Sequence, residues 1–127
     1  MTDAMHIVLD DTAMVAAGRG NILLSRLIHR AHAEADWFLY APACALVEAD
    51  RSRPGTAEHI AALPSLTVLD LDLPAALSVA RDTAGWAMAH AAYVAQPNPE
   101  RPDGARVATA AADEWKGRPV RILDVGP

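Results

Sequence analysis

His6-Ile7-Val8-Leu9-Asp10-Asp11-Thr12-Ala13-Met14-Val15 is the stretch that decides how this chain folds. The apolar run Ile7-Val8-Leu9 reads as a short buried strand, because β-branched residues fit a pleated sheet and no polar side chain interrupts them. It stops at two carboxylates and a hydroxyl, and helix-forming residues follow from Ala13 to Ala17. A strand that passes directly into a helix is the opening half of a βαβ unit. In open parallel sheets, ligands sit beyond the carboxyl ends of the strands. Asp10 therefore stands where such a fold places its chemistry. The same residue also suits a purely local role, accepting the free backbone N–H groups at the start of the helix.

Working outward, the alternation repeats. A short helix over Thr12–Ala17 ends near Gly18 and Gly20, and Asn21 caps a second helix with Ile22, Leu23, Leu27 and Ile28 as its apolar stripe. Arg26, His29, Arg30 and His32 face outward on it. Trp37-Phe38-Leu39-Tyr40 forms the second strand, which Pro42 ends. A helix from Ala43 to about Asp50 carries Glu48 and breaks at Arg51-Ser52-Arg53-Pro54-Gly55. Thr56 caps the next helix, Leu66-Thr67-Val68-Leu69 is a third strand, and Pro74 opens an Ala-rich helical stretch through Ala95 with a break at Gly85. Asn98 to Gly104 reads as a loop, Arg106–Thr109 as a fourth strand, Ala110–Trp115 as one helical turn and Val120–Leu123 as a fifth strand. The expectation is one domain spanning residues 1–127: an α/β protein, a three-layer α/β/α sandwich around a mostly parallel sheet of about five strands.

Composition narrows the function. A formal net charge of −5 disfavours a broad nucleic-acid-binding surface but leaves room for an acidic centre with basic residues at its rim. No apolar run reaches the roughly 18 residues of a membrane helix, and the N-terminus does not read as a signal peptide. The single cysteine, Cys44, forms no internal disulfide, so it reads as a small buried apolar residue of a cytoplasmic protein. His90, in an apolar helix, reads as a structural histidine; Trp86 and Tyr93 read as core or interface residues, and Trp115 as a packing anchor.

Four local patterns, in this order, resemble the PIN domain family, the small metal-dependent ribonuclease fold of VapC-type toxins. They are Val8-Leu9-Asp10-Asp11-Thr12-Ala13-Met14, Pro42-Ala43-Cys44-Ala45-Leu46-Val47-Glu48-Ala49, Ala87-Met88-Ala89-His90-Ala91-Ala92, and Val107-Ala108-Thr109-Ala110 followed by Val120-Arg121-Ile122-Leu123. The resemblance implies an endoribonuclease of the toxin–antitoxin type using Mg2+ or Mn2+, with Asp10 and Glu48 among its catalytic and metal-binding carboxylates. Hard divalent cations take oxygen ligands, relieve the repulsion between clustered carboxylates and activate water against a phosphodiester. It also implies RNA as substrate, a small antitoxin as inhibitor and a homodimer.

This chain departs from the family pattern at two positions. Gly85 or Trp86 stands where active members carry a third acid, with Asp82 the nearest carboxylate about one helical turn earlier. Ala111 stands at the fourth, with Asp113 two residues on. The implied metal set is therefore Asp10, Glu48, Asp82 and Asp113, weakened, with Asp10, Glu48 and Asp82 as the catalytic acids and Thr12, Thr109 and Arg81 as substrate contacts. Two further readings compete. One is a PIN-like binding or regulatory protein that has lost cleavage. The other is a phosphoryl receiver, with Asp10-Asp11 as the metal pair, Asp70 as phosphoacceptor and Lys116 late in the chain; Glu48 would then have no role.

Overall fold

A computed structural model describes residues 4–126. The elements in chain order are β1 (Met5–Leu9), α1 (Asp11–Gly18), α2 (Ile22–Ala33), β2 (Trp37–Pro42), α3 (Ala43–Ser52), α4 (Thr56–Ala61), β3 (Leu66–Leu69), α5 (Leu73–Arg81), α6 (Trp86–Ala95), β4 (Arg106–Thr109) and β5 (Ile122–Asp124). A single 3-10 turn, Ala112–Trp115, precedes β5. The five strands form one sheet in the order β3-β2-β1-β4-β5, and every neighbouring pair is parallel. The expected α/β sandwich is what forms.

Side-chain alternation along the strands divides the core in two. Ile7 and Leu9 of β1, Leu39 and Ala41 of β2 and Ala108 of β4 face one layer, built from α1, α2, α3 and α4. Val8, Tyr40 and Val107 face the other, where α6 and Trp115 cover them. Strands covered on both faces need continuous apolar runs, which explains why Ile7-Val8-Leu9 is unbroken.

The order of strand addition reverses between β1 and β4, which run parallel. From β1 the chain builds outward through β2 to β3, then returns by way of α5 and α6 to β4 on the opposite side. That reversal opens a crevice beyond the carboxyl ends of β1 and β4. Asp10 terminates one of these strands and Thr109 the other, and the Asp10 amide donates to the Ala108 carbonyl at 3.2 Å.

Several boundaries move from their expected places. Gly55, with a left-handed φ of 93°, precedes α4, while the Thr56 hydroxyl donates back to the Arg53 carbonyl at 2.7 Å. The long Ala-rich stretch breaks over residues 82–85 rather than at Gly85 alone, because the Asp82 side chain accepts from the Ala84 amide and closes a turn of its own. β5 begins at Ile122.

Candidate functional site

Asp10 leaves β1 with extended backbone and becomes the N-cap of α1. It is 2% exposed. Its Oδ1 accepts from the Ala13 amide at 2.8 Å and from the Thr12 hydroxyl at 2.7 Å, while the Trp115 indole N–H donates to its Oδ2 at 3.1 Å. Both carboxylate oxygens are thus occupied by donors from the protein itself.

A chain of hydrogen bonds extends from this point to β4. The Ala111 amide donates to the Thr109 hydroxyl at 3.0 Å, and the Ala110 amide to the Thr12 hydroxyl at 2.9 Å. The two threonine hydroxyls lie 3.1 Å apart. Because Thr12 gives its proton to Asp10, Thr109 is the donor between them. Thr109 is fully buried and Thr12 half-buried. Thr12 and Thr109, two of the three residues expected to touch substrate, stitch the exits of β1 and β4 together.

Beside this buried carboxylate lies a second one. Asp11 opens α1, is half-buried, and lines a cleft of about 570 Å³ together with Thr12, Val15, Arg19, Asn21 and Ser52. Burial, then the negative charge of Asp10, raise its pKa to about 6, with smaller contributions from Glu48 and Glu114 and opposition from its own backbone N–H. Asp10, Asp11, Glu48 and Glu114 therefore share one electrostatic neighbourhood. Glu48 reaches it from α3 as an exposed side chain.

The other two acids are engaged elsewhere. Asp82 caps the end of α5 and accepts from both terminal nitrogens of Arg118, at 2.6 and 3.4 Å, so the guanidinium holds its carboxyl below the usual range. Asp113 is 91% exposed in its side chain and pairs with Lys116 at 3.3 Å. Arg81 is exposed at the end of α5. Among the described residues, no group of three or more His, Cys, Asp or Glu side chains is placed to hold a metal ion. The donor set does not fit the metal that the sequence resemblance implies: Asp10 is buried with a protein donor on each oxygen, and Asp82 and Asp113 are paired with cationic side chains.

The receiver arrangement meets a simpler obstacle. Asp70 follows β3, and β2 lies between β3 and β1. Strands two places apart are separated by about 10 Å, too far for Asp10 and Asp70 to share an ion. Lys116 is already paired with Asp113.

Trp115 is a packing anchor, as expected, and its indole N–H adds a contact that the sequence pattern does not show. It is buried at 3% exposure, and buried tryptophan N–H groups generally find an acceptor, which was the available signal. Asn21 caps α2 as expected, its Oδ1 accepting from the Leu24 amide at 3.0 Å. Its amide group also donates to the Val125 carbonyl at 3.0 Å, tying α2 to the segment after β5. His90 is fully buried, and its Nδ1 accepts from the Cys44 amide at 3.3 Å, capping α3 where Pro42 offers no side-chain oxygen. Trp86 departs from the core role, being 73% exposed at the start of α6. No helix among the described residues is long and apolar enough to cross a membrane. Compared with protein-family models, with curated proteins and with solved structures, the chain matches none.

Proposed function

We propose that this chain is a PIN-like domain whose acidic centre holds the fold together instead of a metal, and that it works as a binding or regulatory protein rather than as a nuclease. The observation that carries this reading is the state of Asp10: a buried carboxylate whose oxygens accept from Ala13, Thr12 and Trp115. A metal ligand must offer an accessible lone pair to the ion, and here three of the four lone-pair positions accept protein donors on a carboxylate that is 2% exposed. The Asp82–Arg118 pair supports the same reading, since a guanidinium occupies the acid that a cation would need. The reading assigns no role to Mg2+ or Mn2+.

A protein partner suits the surface better than RNA does. On α5, Leu73 and Leu77 are 72% and 44% exposed, and Trp86 at the start of α6 is 73% exposed. Leu73, Ala76, Leu77 and Ala80 recur at helical spacing, yet Ala75 is the residue that α5 buries. Exposed apolar surface of this kind marks protein contacts, whether with a small partner protein or a second copy. The basic residues, by contrast, are scattered or paired. A lone buried cysteine suits a reducing compartment, which supports a cytoplasmic setting.

The test is cleavage of a fluorogenic RNA with Mg2+ or Mn2+ by the wild type and by Asp10→Ala. The expected result is no metal-dependent cleavage by either. Cleavage by the wild type that requires the metal and disappears in Asp10→Ala would overturn the reading.

A further inference from the structure

A second cleft, away from the Asp10 centre, runs beside the sheet edge formed by β3. Its volume is about 660 Å³, within the range of roughly 300–1,000 Å³ typical of small-molecule sites. Arg101 lines it from the loop between α6 and β4, and only 9% of this residue is exposed.

Arginine is rarely buried without a carboxylate matching its planar fork. Here the acid within reach is Glu100, at 3.6 Å and with 86% of its side chain exposed. That separation is well beyond the roughly 2.7–2.9 Å of a charge-assisted hydrogen bond. The Arg101 guanidinium instead lies 4.8 Å over the Tyr40 ring, and its Nε–H is buried with no acceptor among the described residues. An aromatic face steadies a cation, but it does not accept the in-plane N–H groups.

The loop fixes the arginine in place. Asn98 Oδ1 accepts from the amides of Glu100 and Arg101, each at 2.9 Å, and the Gly104 amide donates to the Arg101 carbonyl at 2.8 Å. Tyr40 is held in turn by its hydroxyl, 2.8 Å from His6 Nδ1. The Nε–H is shielded from solvent, so an oxyanion in the cleft meets the terminal nitrogens of a guanidinium that the loop already holds in place.

The same cleft is lined by Asp70 and Asp72, both exposed. These acids repel a bare anion and attract a positive group at a ligand's other end. We infer that the β3-edge cleft binds a small zwitterion, its carboxylate or phosphate on Arg101 and its amine facing Asp70 and Asp72. The site is separate from the Asp10 centre and does not depend on whether that centre cleaves RNA.

The Arg101 side-chain 15N–1H signal, read at the terminal nitrogens of the guanidinium, reports on this contact. The probes are inorganic phosphate, O-phosphoethanolamine, butyrate and γ-aminobutyrate, so that the oxyanion type and the amine are varied independently. Phosphate is expected to shift the resonance saturably with Kd on the order of 1–10 mM. O-phosphoethanolamine should bind tighter than phosphate, and γ-aminobutyrate tighter than butyrate; whichever zwitterion binds better identifies the oxyanion. Glu100→Gln, a change at an exposed side chain, should tighten phosphate about two- to fivefold by removing a competing charge. Asp70→Asn should erase most of the preference for the amine-bearing probes. An Arg101 side-chain signal unmoved by all four probes in both wild type and Glu100→Gln would overturn the inference, as would zwitterions that bind no better than their parent anions.

Discussion

Replacing Asp10 separates a structural carboxylate from a metal-binding one by the sign of the stability change. In a metal site without its ion, clustered carboxylates repel, so removing one stabilises the apo protein. In this structure Asp10→Ala removes the cap of α1 and strands the Trp115 indole N–H. Loss of an N-cap costs about 1 kcal/mol, and a buried donor left without its acceptor about 2 kcal/mol. The expected destabilisation is therefore about 3 kcal/mol, a large share of the roughly 5–15 kcal/mol that holds a small domain together. Asp10→Asn gives a graded intermediate. One amide oxygen either caps α1 or accepts from Trp115, not both, so the cost should be about 1–2 kcal/mol. Urea unfolding monitored by tryptophan fluorescence and far-UV circular dichroism measures both variants. A neutral or stabilising effect of Asp10→Ala in metal-free buffer would refute the reasoning.

Asp11→Asn should act in the opposite direction. The folded protein holds the Asp11 proton with a pKa of about 6, against about 3.8 for an unperturbed carboxyl. The charged form therefore weakens folding above pH 6, and that penalty fades as pH falls toward 4. The full shift corresponds to about 3 kcal/mol, which solvent screening of this half-exposed group reduces to about 1 kcal/mol. The variant should melt about 3 °C higher than wild type at pH 7 and no higher at pH 4, measured by calorimetry. His90 should be the Nε2–H tautomer, because its Nδ1 accepts from the Cys44 amide. Burial holds its pKa below 6.5, so the unfolded chain takes the proton more readily and stability is lost as pH falls below 6.5. Long-range 1H–15N correlation spectra check both statements, and an Nδ1–H form would contradict them. Gly104→Ala should cost at least 2 kcal/mol, since φ is 72° and a Cβ there would lie 2.5 Å from the Ala95 carbonyl oxygen. A urea midpoint within error of wild type would contradict that.

What the sequence revealed and what it hid divide along contact distance. Ile7-Val8-Leu9 announced β1 because its neighbours on the chain carry the pattern, and Asp10 and Asn21 announced caps because a cap acts on residues three positions away. Asn98 to Gly104 was legible as a loop for the same reason. The Trp115–Asp10 bond spans 105 positions and the Asp82–Arg118 pair 36, and no local periodicity encodes either. These two contacts decide the fate of the acidic residues. The sequence could thus place acids at the ends of strands and helices but could not tell that Asp10 is bonded to Trp115 or Asp82 to Arg118. The left-handed Gly55 was likewise hidden, since both Gly55 and Thr56 are acceptable helix-cap residues and only the backbone path chooses between them.

Asp10 is 2% exposed and three of its four lone-pair positions already accept protein donors, so an ion would have to displace them, and the Trp115 indole N–H reports on its Oδ2 directly. Titration of 15N-labelled protein with Mn2+, following that indole resonance and the Asp10 amide, is the decisive measurement. Weak, unsaturating broadening confined to exposed acids such as Glu48 and Asp113 is the expected outcome. Saturable broadening centred on Asp10, abolished in Asp10→Asn, would contradict it.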